Sequence, residues 1–116
     1  PLMGFDPQGK AWGYARYDDI WCGIFAKKIL DHLSLNVVNG SPFVEHRKKS
    51  LPNENLEKEK PGLEINESLW KKVKKVKLTE STITSCYQEL IKSINFPPSV
   101  YFKKLRDAMR IWAELF

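Results

Sequence analysis

Cysteine is scarce in this sequence: Cys22 and Cys86 are the only two in 116 residues. Two thiols make neither a disulfide framework nor, unaided, a zinc site, so a reducing compartment is the default reading. No apolar run of about 18 residues is present, which leaves no segment that reads as a membrane span. The N-terminus shows no charged leader followed by an apolar stretch and a small-residue cleavage site. There is no glycine-rich phosphate loop, no metal-type cysteine pair and no nucleophile–histidine pair, so the commonest local signatures of nucleotide, zinc and triad chemistry are missing. Position 1 is Pro1 instead of methionine, and Phe116 falls inside a pattern that still reads as helix. The chain therefore reads as a piece of a larger protein.

What is present is enough for a folded body. Hydrophobic residues make up 42% and aromatics 12%, too apolar for a disordered tail, and 13.5 kDa is about the size of one domain. A chain of this length buries roughly two-thirds of its unfolded surface. The net charge of +5 is unevenly placed: residues 47–77 hold ten Lys/Arg and five Asp/Glu, and the remainder balances.

Residues 1–16 carry Gly4, Pro7, Gly9 and Gly13 among scattered aromatics and read as an ordered loop. From Asp18 to Leu33 the apolar residues Ile20, Trp21, Ile24, Phe25, Ile29, Leu30 and Leu33 recur at helical spacing. Asp18 or Asp19 is placed to cap that helix, since a carboxylate there accepts free backbone N–H groups and meets the positive end of the dipole. Gly23, costly inside a helix, reads as a site of close packing. Leu35–Val38 and Pro42–His46 read as two short strands flanking the Asn39-Gly40 turn. Residues 47–62 read as polar loop with one helical piece after Pro52. A second long helix is expected over 64–77, with Ile65, Leu69, Trp70, Val73 and Val76 as its stripe and five lysines opposite. A third spans Thr82–Ile94, capped by Ser81 or Thr82. After Pro97-Pro98 a fourth runs from Ser99 beyond Glu114, with Tyr101, Leu105, Met109, Trp112 and Ala113 on one side. Two strands are too few to cover these helices, so the class is α/β with its remaining strands elsewhere.

The densest chemical cluster is Arg16-Tyr17-Asp18-Asp19-Ile20-Trp21. Adjacent carboxylates at a loop-to-helix junction, beside an arginine and two aromatics, suit a base, an acceptor clamp or a substrate anchor. The plainer account is one aspartate capping the helix and the other pairing with Arg16. His46, followed by Arg47, Lys48 and Lys49, suits a metal or phosphate contact, or is an ordinary surface residue. His32 lies near a helix C-terminus, where a cation is mildly favoured. Lys71, Lys72, Lys74, Lys75 and Lys77 form a basic face without the stacking aromatics of a nucleic-acid binder. Cys22 and Cys86 sit among apolar neighbours and read as buried, inert thiols.

One resemblance adds to this. Leu2-Met3-Gly4 and Ala15-Arg16-Tyr17-Asp18-Asp19-Ile20-Trp21-Cys22-Gly23 resemble the "LMG…GRYDDMWAG" segment of the reversibly glycosylated polypeptides, the UDP-arabinopyranose mutase family. Asp31-His32-Leu33-Ser34-Leu35 resembles "DHL-x-L", and Gly40-Ser41-Pro42-Phe43 with His46, Lys48 and Ser50 resembles "GLPY…HSKAS". Cys86-Tyr87-Gln88-Glu89-Leu90 resembles "CYIEL", and Tyr101–Met109 resembles "YFDKLADAM". The departures are Ala15 in place of glycine, a longer loop before Arg16, and lysines in 51–77 where the family is acidic and aromatic.

The resemblance implies the C-terminal, mainly helical part of a Rossmann-like nucleotide-sugar transferase domain, here 1–116. Within it, 1–50 would be an acceptor-side loop, helix and short strands, and 51–116 a helical extension. It implies a UDP-sugar enzyme, either a mutase interconverting pyranose and furanose rings or a self-glycosylating transferase, and a fragment inactive alone. The divalent metal, manganese or magnesium, would be held mostly by residues outside this chain. On this side of the site, Asp18 and Asp19 would be the catalytic carboxylates, Arg16, Trp21 and Lys48 substrate contacts, and His46 a metal or diphosphate contact. The family also implies a cytoplasmic protein, peripheral to a membrane at most, forming homo- or hetero-oligomers and binding no nucleic acid. The rival reading is a non-catalytic helical module whose basic helix 64–77 binds an acidic partner or membrane surface.

Overall fold

The computed structural model describes residues 12–14, 17–41 and 52–116, and among these it holds five α-helices and no strand. The order is α1 (Asp18–His32), α2 (Pro52–Glu59), a 3-10 turn (Lys60–Gly62), α3 (Leu63–Lys75), α4 (Ile83–Ser93) and α5 (Val100–Ala113).

Helix α1 forms because Tyr17, Trp21, Phe25 and Ile29 recur every fourth residue and are all buried. They pack against α3 and α4, and α4 packs in turn on α5. Burial of each large apolar side chain contributes about 1.5–3 kcal/mol. Trp21 is wholly buried, its ring stacked 5.6 Å from that of Tyr17 and tilted against that of Phe102 at 5.4 Å. Its indole Nε1 donates to Asn66 Oδ1 at 3.1 Å, which fixes α1 to α3 through a satisfied polar pair.

The expected aspartate cap takes another form. Tyr17 occupies the N-cap position without a side-chain capping bond, and Asp18 and Asp19 are the first two helical residues. Asp18 Oδ1 accepts from Asp19 N at 2.9 Å and Asp19 Oδ1 from Ile20 N at 2.8 Å, so both still neutralise free donors of the first turn. At the other end, Ser34 N donates to Asp31 O and Leu35 N to Leu30 O, a Schellman arrangement in which Ser34 takes φ 56°.

Pro52 opens α2, where its missing N–H costs nothing. Thr82 caps α4 through a box in which its Oγ1 accepts from Ser85 N while Ser85 Oγ accepts from Thr82 N. Ser99 Oγ accepts from Phe102 N at the start of α5.

Several expectations need correcting. Leu35–Val38 forms no strand and is exposed, because β-branched residues pair only where a second strand meets them. Its expected partner, Pro42–His46, lies outside the described residues. A Cβ on Gly23 would meet nothing within 4 Å, so no close packing requires that glycine. Trp70 and Trp112 lie at the edges of their stripes and remain 41% and 47% exposed. Cys22 is exposed, whereas Cys86 is buried as expected.

Candidate functional site

Asp18 and Asp19 project from the first turn of α1, Asp18 half-buried and Asp19 exposed. Beyond the next residue's backbone N–H, neither carboxylate has a hydrogen-bond partner among the described residues. Both retain acceptor capacity at the positive end of a helix. Trp21, expected as a substrate wall, lies beneath them in the core and presents no surface. Arg16, His46 and Lys48, the other expected contacts, lie outside the described residues.

An aromatic cluster joins the segment before α1 to the start of α5. Trp12 and Tyr14 precede α1, and Tyr101 and Phe102 open α5 against them. The Tyr101 ring meets those of Trp12 at 5.6 Å and Tyr14 at 5.3 Å, both edge-on, and Tyr14 stacks on Phe102 at 5.8 Å. Lys104 Nζ lies 5.7 Å from the Trp12 ring centroid. Burial, with the negative charge of Asp18 as a second cause, pushes the Tyr101 hydroxyl up to about 12. The phenol therefore stays protonated across the physiological range.

The sequence reading missed this aromatic cluster. Trp12 passed for a scattered loop aromatic and Tyr101 for core; the available signal was Trp12-x-Tyr14 directly ahead of the acidic junction.

A second polar cluster holds the segment between α3 and α4. The Glu89 carboxylate accepts from Thr79 N and Oγ1, both at 2.8 Å, and from Glu80 N at 3.2 Å. The Glu80 carbonyl lies 2.8 Å from His32 Nε2 and accepts from Cys86 Sγ. The Thr79 hydrogen bonds, first the backbone one, hold the Glu89 carboxyl below its ordinary value, aided by Glu80 N and His32. Burial pushes the Cys86 thiol up, as suits an inert core group. This cluster joins α1, α4 and the segment between α3 and α4.

An apolar groove of about 640 Å³ runs between α1, α4 and α5, lined among others by Cys22, Phe25, Leu30, Tyr87, Met109 and Trp112. Neither aspartate reaches it. No group of three metal-ligating side chains occurs among the described residues. Among the same residues, no helix is long and apolar enough to cross a membrane.

The sequence model of the reversibly glycosylated polypeptides matches residues 1–116. UDP-arabinopyranose mutase 1 and UDP-arabinopyranose mutase 2 of Arabidopsis thaliana are each 40% identical over 119 residues, covering 98% of this chain and 33% of the relative. UDP-arabinopyranose mutase 1 of Oryza sativa subsp. japonica is 36% identical over 121 residues, with the same coverage. The chain belongs to the reversibly glycosylated polypeptide family, and it spans about a third of the length of these curated relatives. No solved structure matches it.

Proposed function

We propose that the chain is the C-terminal, acceptor-side third of a UDP-sugar enzyme of the mutase type, acting on UDP-arabinopyranose or a close analogue. The observation that carries this reading is a pair of carboxylates with unused acceptor capacity on the first turn of α1, in a chain 40% identical to two enzymes named for that substrate. In this reading Asp18 and Asp19 receive sugar hydroxyls and orient the ring. Arg16 and Lys48 offset diphosphate charge and His46 completes the diphosphate side. The nucleotide-binding sheet and the divalent metal belong to the rest of the enzyme. The described residues therefore contribute binding and orientation, with ring opening and closure taking place on groups assembled around them.

Calorimetric titration of the full-length enzyme with UDP-arabinopyranose is the test. Asp18→Asn and Asp19→Asn should each weaken binding about tenfold, the scale of a lost charge-assisted hydrogen bond, with the melting temperature held. Unchanged affinity in both would overturn the site assignment.

A second reading rests on Trp70, 41% exposed beside Lys71, whose ammonium lies 5.5 Å from the indole centroid. With Lys74, Lys75 and Lys77 exposed around it, this face suits an anionic partner or membrane surface. Binding to anionic vesicles that falls steeply with salt, and is lost on charge reversal at Lys71, Lys74 and Lys75, is its signature.

A further inference from the structure

Residues 71–77 hold five lysines and no acidic residue. The ion pairs among the described residues are Lys27–Asp31, Lys60–Glu57 and Arg110–Glu114, so none of the five lysines is neutralised there. Lys71 and Lys75, at i and i+4, repel one another on the helix surface. The helix dipole accounts for little of this excess, since it amounts to roughly half an elementary charge at the C-terminus. Lys28 of α1 already reaches that end, its Nζ donating to the Lys74 carbonyl at 3.2 Å.

The lysines do not stand alone. Leu63 and Trp70 lie two turns apart on one side of α3, about 10.5 Å along its axis, and remain 47% and 41% exposed. Trp70 joins the apolar and basic features, because the Lys71 ammonium lies 5.5 Å from its ring centroid. Glu64 and Glu67, both exposed, occupy the N-terminal half of the same helix. The face is thus apolar and acidic at one end and basic at the other, with an indole where the sign changes.

That order selects the partner. An anionic membrane presents negative charge evenly and would meet Glu64 and Glu67 along with the lysines. An amphipathic helix also binds such a surface by burying its apolar stripe in it, and here the stripe of Leu69 and Val73 is buried within the protein. A polypeptide can place carboxylates opposite 71–77 alone and set an apolar side chain against Trp70, a residue type enriched at protein contacts.

We infer that the C-terminal half of α3, with Lys77 after it, docks an acidic protein segment that carries an apolar residue. Its carboxylates meet Lys71, Lys74, Lys75 and Lys77, and its apolar side chain packs on Trp70. This narrows the second reading above to its protein-partner form and rests on the lysine face identified there.

Fluorescence anisotropy of the full-length enzyme tests the inference, with a fluorescein-labelled peptide of glutamates interrupted by leucines as probe. A glutamate-only peptide and vesicles of phosphatidylcholine with phosphatidylserine are the comparisons. The glutamate–leucine peptide should bind with an affinity that falls steeply with salt. Trp70→Ala should weaken it about fivefold, to the level of the glutamate-only peptide. The triple change Lys71→Glu, Lys74→Glu and Lys75→Glu should abolish binding. The neutral triple change Lys71→Gln, Lys74→Gln and Lys75→Gln, which sets no acid at a helix C-terminus, should weaken it about tenfold or more. Vesicles should retain the wild type no better than the charge-reversed variant. Peptide binding that survives both triple changes overturns the inference, as does equal binding of the two peptides by the wild type. Vesicle retention that charge reversal removes also overturns it and leaves the membrane form of the second reading standing. Binding of neither peptide nor vesicle overturns the inference and that reading together.

Discussion

Gly62 is fixed by the ring of Tyr17. A Cβ there would lie 2.3 Å from Tyr17 Cε2, and the ring cannot retreat, being stacked on Trp21 and donating from its hydroxyl to the Glu59 carbonyl at 3.1 Å. Gly62→Ala should therefore lower stability by about 1–3 kcal/mol, the range of overpacking in a closed core, measured by denaturant melts. Glu89 supplies a pH signature at the same scale. Its carboxyl is held below the ordinary 4.5 by the Thr79 hydrogen bonds, so its stabilisation is complete above that value and is lost as pH falls through the lower, folded-state value. Acid titration of stability should show this loss in the wild type, and Glu89→Gln should show a shallower one.

Helix ends were the part of the sequence most open to refinement by structure. The periodicity of Trp21, Phe25 and Ile29, of Leu69 and Val73, and of Tyr101, Leu105 and Met109 was enough to locate α1, α3 and α5, because buried positions on a helix must recur near 3.6 residues. The same pattern does not say where a stripe ends, which is why Trp70 and Trp112 were placed inside and lie half out. Phe102 was overlooked because it flanks the chosen face beside Tyr101. The C-terminus of α1 was unreadable for a different reason. Its Schellman arrangement uses Ser34 at φ 56° where glycine is usual, and a serine there gives no signal. Ser34→Gly should relieve that backbone strain and add roughly 1 kcal/mol, a rise of a few degrees in melting temperature by calorimetry.

At the scale of the molecule, α1 links the parts of the account. Its buried face joins α3 and α4, and its first turn carries Asp18 and Asp19. The acidic turn was legible because two consecutive aspartates at a loop-to-helix junction are conspicuous in one dimension. The aromatic cluster was not, since Trp12 and Tyr101 are 89 residues apart and only the fold brings them together. The α/β class rested on the two expected short strands as well as on the resemblance, whereas the regular elements among the described residues are all helical. The central claim is that this turn orients a UDP-bound sugar. Pyranose-to-furanose turnover of UDP-arabinopyranose by the full-length enzyme tests it most directly, in the wild type and in Asp18→Asn and Asp19→Asn variants of unchanged melting temperature. The account predicts a loss of about 10²-fold or more in kcat/KM in at least one variant. Wild-type turnover in both would contradict it.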